Sequence, residues 1–255
     1  MGSFCSCICY CTFIYACYVF PKTGYYWFNC WSCERMKYYK ALLFGSIGSI
    51  VETSEIQRKS FNKAFKQYGL DWNWTKREYQ YLLSKSGGKD RISRYAKKKK
   101  NEVNSVYLRN LKTKIFNNYL KKNHLKLRPG VKNLISLCKK ENIKIAFVSS
   151  TSINNINAIL YCLRNSINKK DFNFIGNAKL VKKFKPNPDI YLLALKKLKL
   201  KPNDCVAIED SQESLNSAKR ARIKCIIFPG KFHSSKKFIG AYKKVYRLNK
   251  NIILR

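Results

Sequence analysis

"ALLFGSIGSIVETSEI", residues 41–56, decides how the whole chain is read. Ala41, Leu42, Leu43 and Phe44 make a short apolar run with the length of a buried strand. Residues 45–49 then supply two glycines and two serines, the composition of a turn, and a helical pattern starts near Ser54. A strand–turn–helix junction turns backbone N–H groups toward anions. Yet Gly45, Ser46, Ile47, Gly48 and Ser49 carry no carboxylate, lysine or histidine. Three readings fit this stretch taken alone: a phosphate cradle, a plain turn, or an active site stripped of its chemistry.

Beyond it, residues 54–126 read as helices. Phe61, Ala64, Phe65 and Tyr68 recur at helical spacing, as do Val106, Leu108, Leu111, Ile115 and Tyr119. A Gly-Gly turn, "SGGKDRI" at 86–92, lies between them. From residue 131 strands and helices alternate. Helices are expected at 131–140, after the polar turn 149–152, at 188–198 and at 215–222. Strands are expected at 143–148, 172–175, 205–208 and 225–228. This order predicts an α/β fold: a Rossmannoid parallel sheet core with an inserted α-helical cap domain. The core takes residues 38–56 and 127–248, the cap 57–126, and 249–255 form a tail. Sites in such sheets lie at the carboxyl ends of the strands. The segments to inspect are therefore 45–49, 149–152, the surroundings of Lys185, and 209–211.

Charge and cysteines set further bounds. Lys and Arg number 52 against 14 Asp and Glu, a formal charge of +38. A surface for nucleic acid or anionic membrane fits this. So does A/T-rich coding bias, because the lysines are scattered along the chain; the run 97–100 reads as a solvated helix face. Cys138, Cys162, Cys205 and Cys225 sit in apolar contexts and read as core residues. Cys5, Cys7, Cys9, Cys11, Cys17, Cys30 and Cys33 crowd the first 37 residues, and residues 1–21 hold no charged side chain. That segment reads as a leader to a secretory or plastid-type organelle, as a membrane anchor acylated at Gly2 and neighbouring cysteines, or as an artefact of the assigned start. The last reading leaves the protein cytoplasmic. Cys30-Trp31-Ser32-Cys33 is a lone C-x-x-C, with no second pair to make a metal site.

The four segments, in this order, resemble the haloacid-dehalogenase superfamily. The likeness is to the subgroup of β-phosphoglucomutase and Calvin-cycle-associated sugar-bisphosphate (xylulose-1,5-bisphosphate) phosphatases. "VETSEIQRKSFNKAFKQYGLDWNW" is similar to that subgroup's passage into the cap, and "LLSKSGGKDRI" to its substrate loop. "KFKPNPDIYLLALKKL" and "CVAIEDSQESLNSAKRARIKCI" are similar to its third and fourth motifs. The resemblance implies that Ser149 and Lys185 bind phosphate. It implies that Glu52, Lys89 and Arg91 grip the distal end of a phosphorylated small molecule, and that Glu209 and Asp210 are vestigial magnesium carboxylates. It also implies a monomer that uses Mg2+.

The first loop departs from the family. The family pattern is Asp-x-Asp-Gly-Thr/Ser, with a nucleophile at its first position and a general acid/base at its third. Gly45 and Ile47 stand there, and only Gly48 and Ser49 remain. Glycine has no nucleophile, and isoleucine carries no proton. Losing both groups removes orders of magnitude in rate, and the Mg2+ site loses a carboxylate, so its occupation is in doubt. Gln57 stands where the likeness has histidine, and Ser214 and Arg222 where it has glycine. A left-handed helix cap without glycine costs roughly 1 kcal/mol. The expectation is a phosphatase homologue that is a pseudoenzyme and still binds sugar phosphates. An active Mg-dependent phosphatase and a basic adaptor reusing the fold are the alternatives.

Overall fold

The computed structural model describes residues 37–84, 87–123, 125–234 and 237–255. The central strand is β1, Ala41–Phe44. It pairs in parallel with β2, Lys144–Val148, on one side and with β4, Cys205–Glu209, on the other. β3, Phe174–Gly176, extends the sheet beyond β2, and β5, Lys224–Ile227, extends it beyond β4. A two-residue strand, β6 at Lys243–Lys244, completes the order β3-β2-β1-β4-β5-β6. All pairings among these strands are parallel. The chain order reverses at β1, so loops from both directions meet over its carboxyl end, where such sheets form their crevice.

Alternation along the strands gives the sheet two buried faces. Leu42 and Phe44, with Ile145, Phe147, Val206 and Ile208, pack against α5, Val131–Lys140, and α6, Ile153–Cys162. Leu43, Ala146, Val148 and Ala207 pack against α7, Asp189–Leu198, and α8, Gln212–Arg220. Each fully buried Leu, Ile or Phe contributes about 1.5–3 kcal/mol. Cover on both faces is why these strands read as unbroken apolar runs.

The cap comprises α1, Ser54–Gln67, α2, Lys76–Leu82, α3, Gly88–Lys99, and α4, Ser105–Lys122. Its core is aromatic. Trp74 is fully buried, with the Phe61, Phe65 and Tyr95 ring centroids at 4.8, 4.7 and 5.4 Å. Phe232, from the loop after β5, meets Tyr79 edge-on and ties cap to core.

Several expectations change. On α4 the buried stripe is Leu108, Lys112, Phe116 and Leu120, a strict i, i+4 row, whereas Val106 and Tyr119 are exposed. Phe116 and Leu120 join the core cluster, so the last turns of α4, inside the expected cap, pack with the sheet core. The third strand starts two residues later than expected. α8 starts at Gln212, because the Ser211 hydroxyl caps it by accepting from the Ser214 N–H at 3.4 Å. In residues 249–255, expected as a tail, Ile252 and Ile253 are buried in the core, and Leu254 bridges to Tyr38. The four later cysteines are free and buried, and burial pushes the Cys138 and Cys205 thiols up to about 12. No helix among the described residues is long and apolar enough to cross a membrane. The leader and acylation readings, which rest on residues 1–36, lie outside the described residues, as does Ser86 of the Gly-Gly turn.

Candidate functional site

The carboxyl ends of β1, β2 and β4 bring the first, second and fourth loops together, and the segment before α7 brings Lys185 to them. Phe44 pairs in register with Phe147 and with Ile208, so Gly45, Ser149 and Glu209 emerge close to one level of the sheet. The Gly45 N–H extends the ladder to the Ile208 carbonyl at 3.0 Å. Beyond Gly45 the chain closes a 3₁₀ turn, Ile47–Ser49. Ser46 and Ser49 cap it reciprocally: the Ser46 hydroxyl accepts from the Ser49 N–H at 3.2 Å, and the Ser49 hydroxyl donates to the Ser46 carbonyl at 2.6 Å. Ser46 is thereby spent as a cap. Ile47 packs its side chain against the core. Neither of these two residues presents a nucleophile or a proton carrier.

At the centre of the site is a buried cluster. The Lys185 ammonium donates to the Glu209 Oε1 at 2.5 Å and to the Gly45 carbonyl at 2.5 Å. The Tyr191 hydroxyl donates to the same Oε1 at 2.6 Å. Lys185 also lies 4.8 Å from the Tyr191 ring centroid. Glu209 and Tyr191 are fully buried. Burial raises the Glu209 carboxyl above its usual range, and the Lys185 ammonium opposes that rise. Burial, reinforced by Glu209, raises the Tyr191 phenol well above its ordinary value. Glu209 Oε2 has no hydrogen-bond partner.

Ser149 is buried at the end of β2, its hydroxyl accepting from the Thr151 N–H at 3.2 Å. Next to it, the Ser150 hydroxyl is buried without a hydrogen-bond partner. Ser152 caps α6, accepting from the Asn155 N–H at 3.3 Å, so a helix N-terminus opens at the same loop. Asp210 is half-buried, and its carboxylate lies so close to Gly48 that a Cβ there would overlap it.

The remaining expected residues lie farther out. Glu52 accepts from two backbone N–H groups, Ser54 at 3.0 Å and Lys231 at 2.8 Å, and so staples the cap hinge to the loop after β5. Lys89 is exposed at the start of α3. Arg91 is buried in the cap, donating to the Leu82 carbonyl at 3.0 Å and lying over the Phe61 and Tyr79 rings. The structure therefore joins Gly45, Lys185 and Glu209 directly, and gives Glu52 and Arg91 structural partners.

Three contributors escaped sequence reading. Tyr191 lies in α7 and is one of them. Arg128 is the second; its guanidinium binds the Gly48, Phe228 and Pro229 carbonyls at 2.6, 2.7 and 2.6 Å, clamping the first loop to the fifth strand's loop. Lys112 is the third. It donates to Gln57 Oε1 at 2.9 Å between the Phe61 and Phe116 rings, and its place in the row 108, 112, 116, 120 was the available signal.

Magnesium fits poorly here. Mg2+ requires close to six oxygens in octahedral array. Glu209 Oε1 and the Gly45 carbonyl are already taken by an ammonium, leaving Glu209 Oε2 and the Asp210 carboxylate. No group of three or more His, Cys, Asp or Glu among the described residues is arranged to hold a metal.

The family model described as haloacid dehalogenase-like hydrolase matches residues 48–228, beginning just past Gly45 and Ile47. Protein CbbY of Cereibacter sphaeroides is 35% identical over 205 residues, covering 79% of this chain and 89% of that protein. A CBBY-like protein of Arabidopsis thaliana is 33% identical over 214 residues, covering 79% of this chain and 66% of its own. The crystal structure of CbbY from Rhodobacter sphaeroides with phosphate superposes with a TM-score of 0.75 at 34% identity, covering 81% of this chain and 93% of that one. A mutant of the same protein, with the same match, was crystallised with xylulose-(1,5)bisphosphate. The β-phosphoglucomutase of Clostridium difficile, at 21% identity and a TM-score of 0.66, shares the fold.

Proposed function

The chain belongs to the haloacid dehalogenase-like hydrolase family, and from that premise we propose that it is a sugar-phosphate-binding member that has lost phosphoryl transfer. The observation that carries this reading is the end of β1. Gly45 and Ile47 occupy the positions where the family places its nucleophile and its acid/base, Ile47 lies half-buried against the core, and Lys185 is turned onto Glu209 and the Gly45 carbonyl. A phosphoryl group arriving there meets no atom able to attack phosphorus.

Binding of phosphate is supported at the neighbouring loop. Ser149 and the unpartnered Ser150 hydroxyl lie beside the N-terminus of α6, where orphan N–H groups and the helix dipole favour an anion. Related CbbY structures hold phosphate and xylulose bisphosphate, so that sugar bisphosphate is the first ligand to try.

Calorimetric titration with xylulose 1,5-bisphosphate, paired with a phosphate-release assay in Mg2+, tests both halves. The expected outcome is saturable heat, reduced in Ser150→Ala, and no phosphate release above the buffer rate. Phosphate release that disappears in Asp210→Ala would overturn the loss of chemistry. Absence of heat at millimolar ligand would overturn the binding.

A further inference from the structure

Helix α4 carries two rows at helical spacing, and the fold uses one of them. Leu108, Lys112, Phe116 and Leu120 are buried. Leu111, Ile115 and Tyr119 form a second row, again at i, i+4. Leu111 and Ile115 are half-buried and Tyr119 is exposed, and none of the three joins a core cluster among the described residues. A surface helix needs one apolar stripe, turned to its own core. A second stripe leaves apolar area facing water, the mark of an interaction surface when it is continuous.

The second row lines a groove. α1 supplies Ile56 from the other side, and the cavity between the two helices measures about 650 Å³. Lysines stand on both helices around it: Lys59 and Lys63, one turn apart, on α1, and Lys114 and Lys122 on α4. All four are exposed, and none makes an ion pair among the described residues. The acid at the groove, Glu55, is already held by Arg58, which donates to its two oxygens at 2.6 and 3.0 Å. The groove is therefore apolar along its floor and positive along both sides, with no carboxylate left to offset the lysines. Gly45, Lys185 and Glu209 take no part in its lining.

Three kinds of occupant can be weighed against that shape. A bilayer takes apolar groups that protrude, whereas Leu111 and Ile115 are half-buried between exposed lysines. A second copy of this chain brings a formal charge of +38 toward four more cations, and like charges facing each other across an interface cost free energy. An amphipathic helix with acidic flanks matches both features, laying its apolar row on the floor and its carboxylates beside the lysines. Residues 55–67 run for about 18 Å along α1, room for three to four turns of such a helix.

We propose that the groove between α1 and α4 is a docking site for an acidic amphipathic helix of a partner protein. Leu111, Ile115 and Tyr119 receive its apolar row, and Lys59, Lys63, Lys114 and Lys122 receive its carboxylates. The site is independent of phosphate binding over β1.

The test uses the full chain and a fluorescein-labelled synthetic peptide of about 16 residues, with leucines along one helical face and glutamates on both flanks. Fluorescence anisotropy is expected to show saturable binding. A scrambled peptide of the same composition is expected to bind about tenfold more weakly or worse, because its leucines no longer share a face. Lys59→Glu with Lys114→Glu, and separately Tyr119→Ser, are expected to weaken the ordered peptide by about tenfold. All three residues are exposed, so the fold tolerates these changes. Lys196→Glu with Lys197→Glu, an exposed pair on α7, makes the same change in net charge elsewhere and is expected to shift affinity by less than about twofold. Absence of saturation, equal binding of the scrambled peptide, or equal loss from the α7 pair would each overturn the proposal. So would phosphatidylserine vesicles or single-stranded DNA that bind the parent more tightly than the peptide does and are lost with Lys59→Glu and Lys114→Glu, since the groove would then serve a lipid surface or a nucleic acid.

Discussion

At residue scale, Lys112 is a charge placed where α1 and α4 meet. Its burial is the largest cause pushing its pKa down to about 7 from 10.5, and the nearby Arg91 and Arg109 push the same way. Gln57 Oε1 and the two ring faces return only part of the lost hydration. The folded value lies below the unfolded one, so between pH 7 and 10.5 the unfolded chain holds more protons. Stability attached to this residue therefore rises with pH across that window. Lys112→Met is expected to remove that rise, read as a smaller increase in urea midpoint from neutral to alkaline pH; an unchanged slope would reject the assignment. Gly45, Ile47, Ser149, Lys185, Glu209 and Asp210 could be named from the sequence because their loops follow one another in a recognisable order. Lys112, Tyr191 and Arg128 could not, since a residue's type says nothing of which distant atom receives its hydrogen bond.

At the scale of elements, α8 ends against its own sequence. Arg222 follows the helix with φ +60°, the left-handed region that favours glycine. The Arg222 N–H reaches the Lys219 carbonyl at 2.8 Å, and the Ile223 N–H reaches Ala218 at 3.0 Å, the pairing of a Schellman cap. The glycine that the family resemblance implies at this position is thus the residue the geometry favours. Arg222→Gly is expected to stabilise the protein by about 1 kcal/mol, measured by urea denaturation; destabilisation would show that the arginine side chain offsets its strain. Ser214, the other expected glycine, sits inside α8 with its N–H on the Ser211 cap and carries no such strain. Strands β1, β2, β4 and β5 were legible because burial on both faces writes continuous apolar runs. β6 was not, because two exposed lysines on an edge carry no apolar signal.

At the scale of the whole molecule, the two ends of the described chain meet. The Tyr39 N–H donates to the Ile253 carbonyl at 2.9 Å, and the Arg255 N–H to Lys37 at 2.7 Å. Ile253 is fully buried in the cluster that holds Leu42 and Phe44, the strand that carries Gly45. Ile253→Ala is expected to cost about 2–5 kcal/mol in urea denaturation; a loss within error would mean that the C-terminal segment is dispensable to the core. The sequence by itself determined the order of strands and helices, the four loops that converge, and the absence of two carboxylates, because those are matters of residue identity and spacing. Only the tertiary structure decided how the remaining groups of the site meet. Lys185 lies 140 residues from Gly45 along the chain, and packing in three dimensions alone sets the distance that lets its ammonium, the Glu209 carboxylate and the Tyr191 hydroxyl meet beside a glycine.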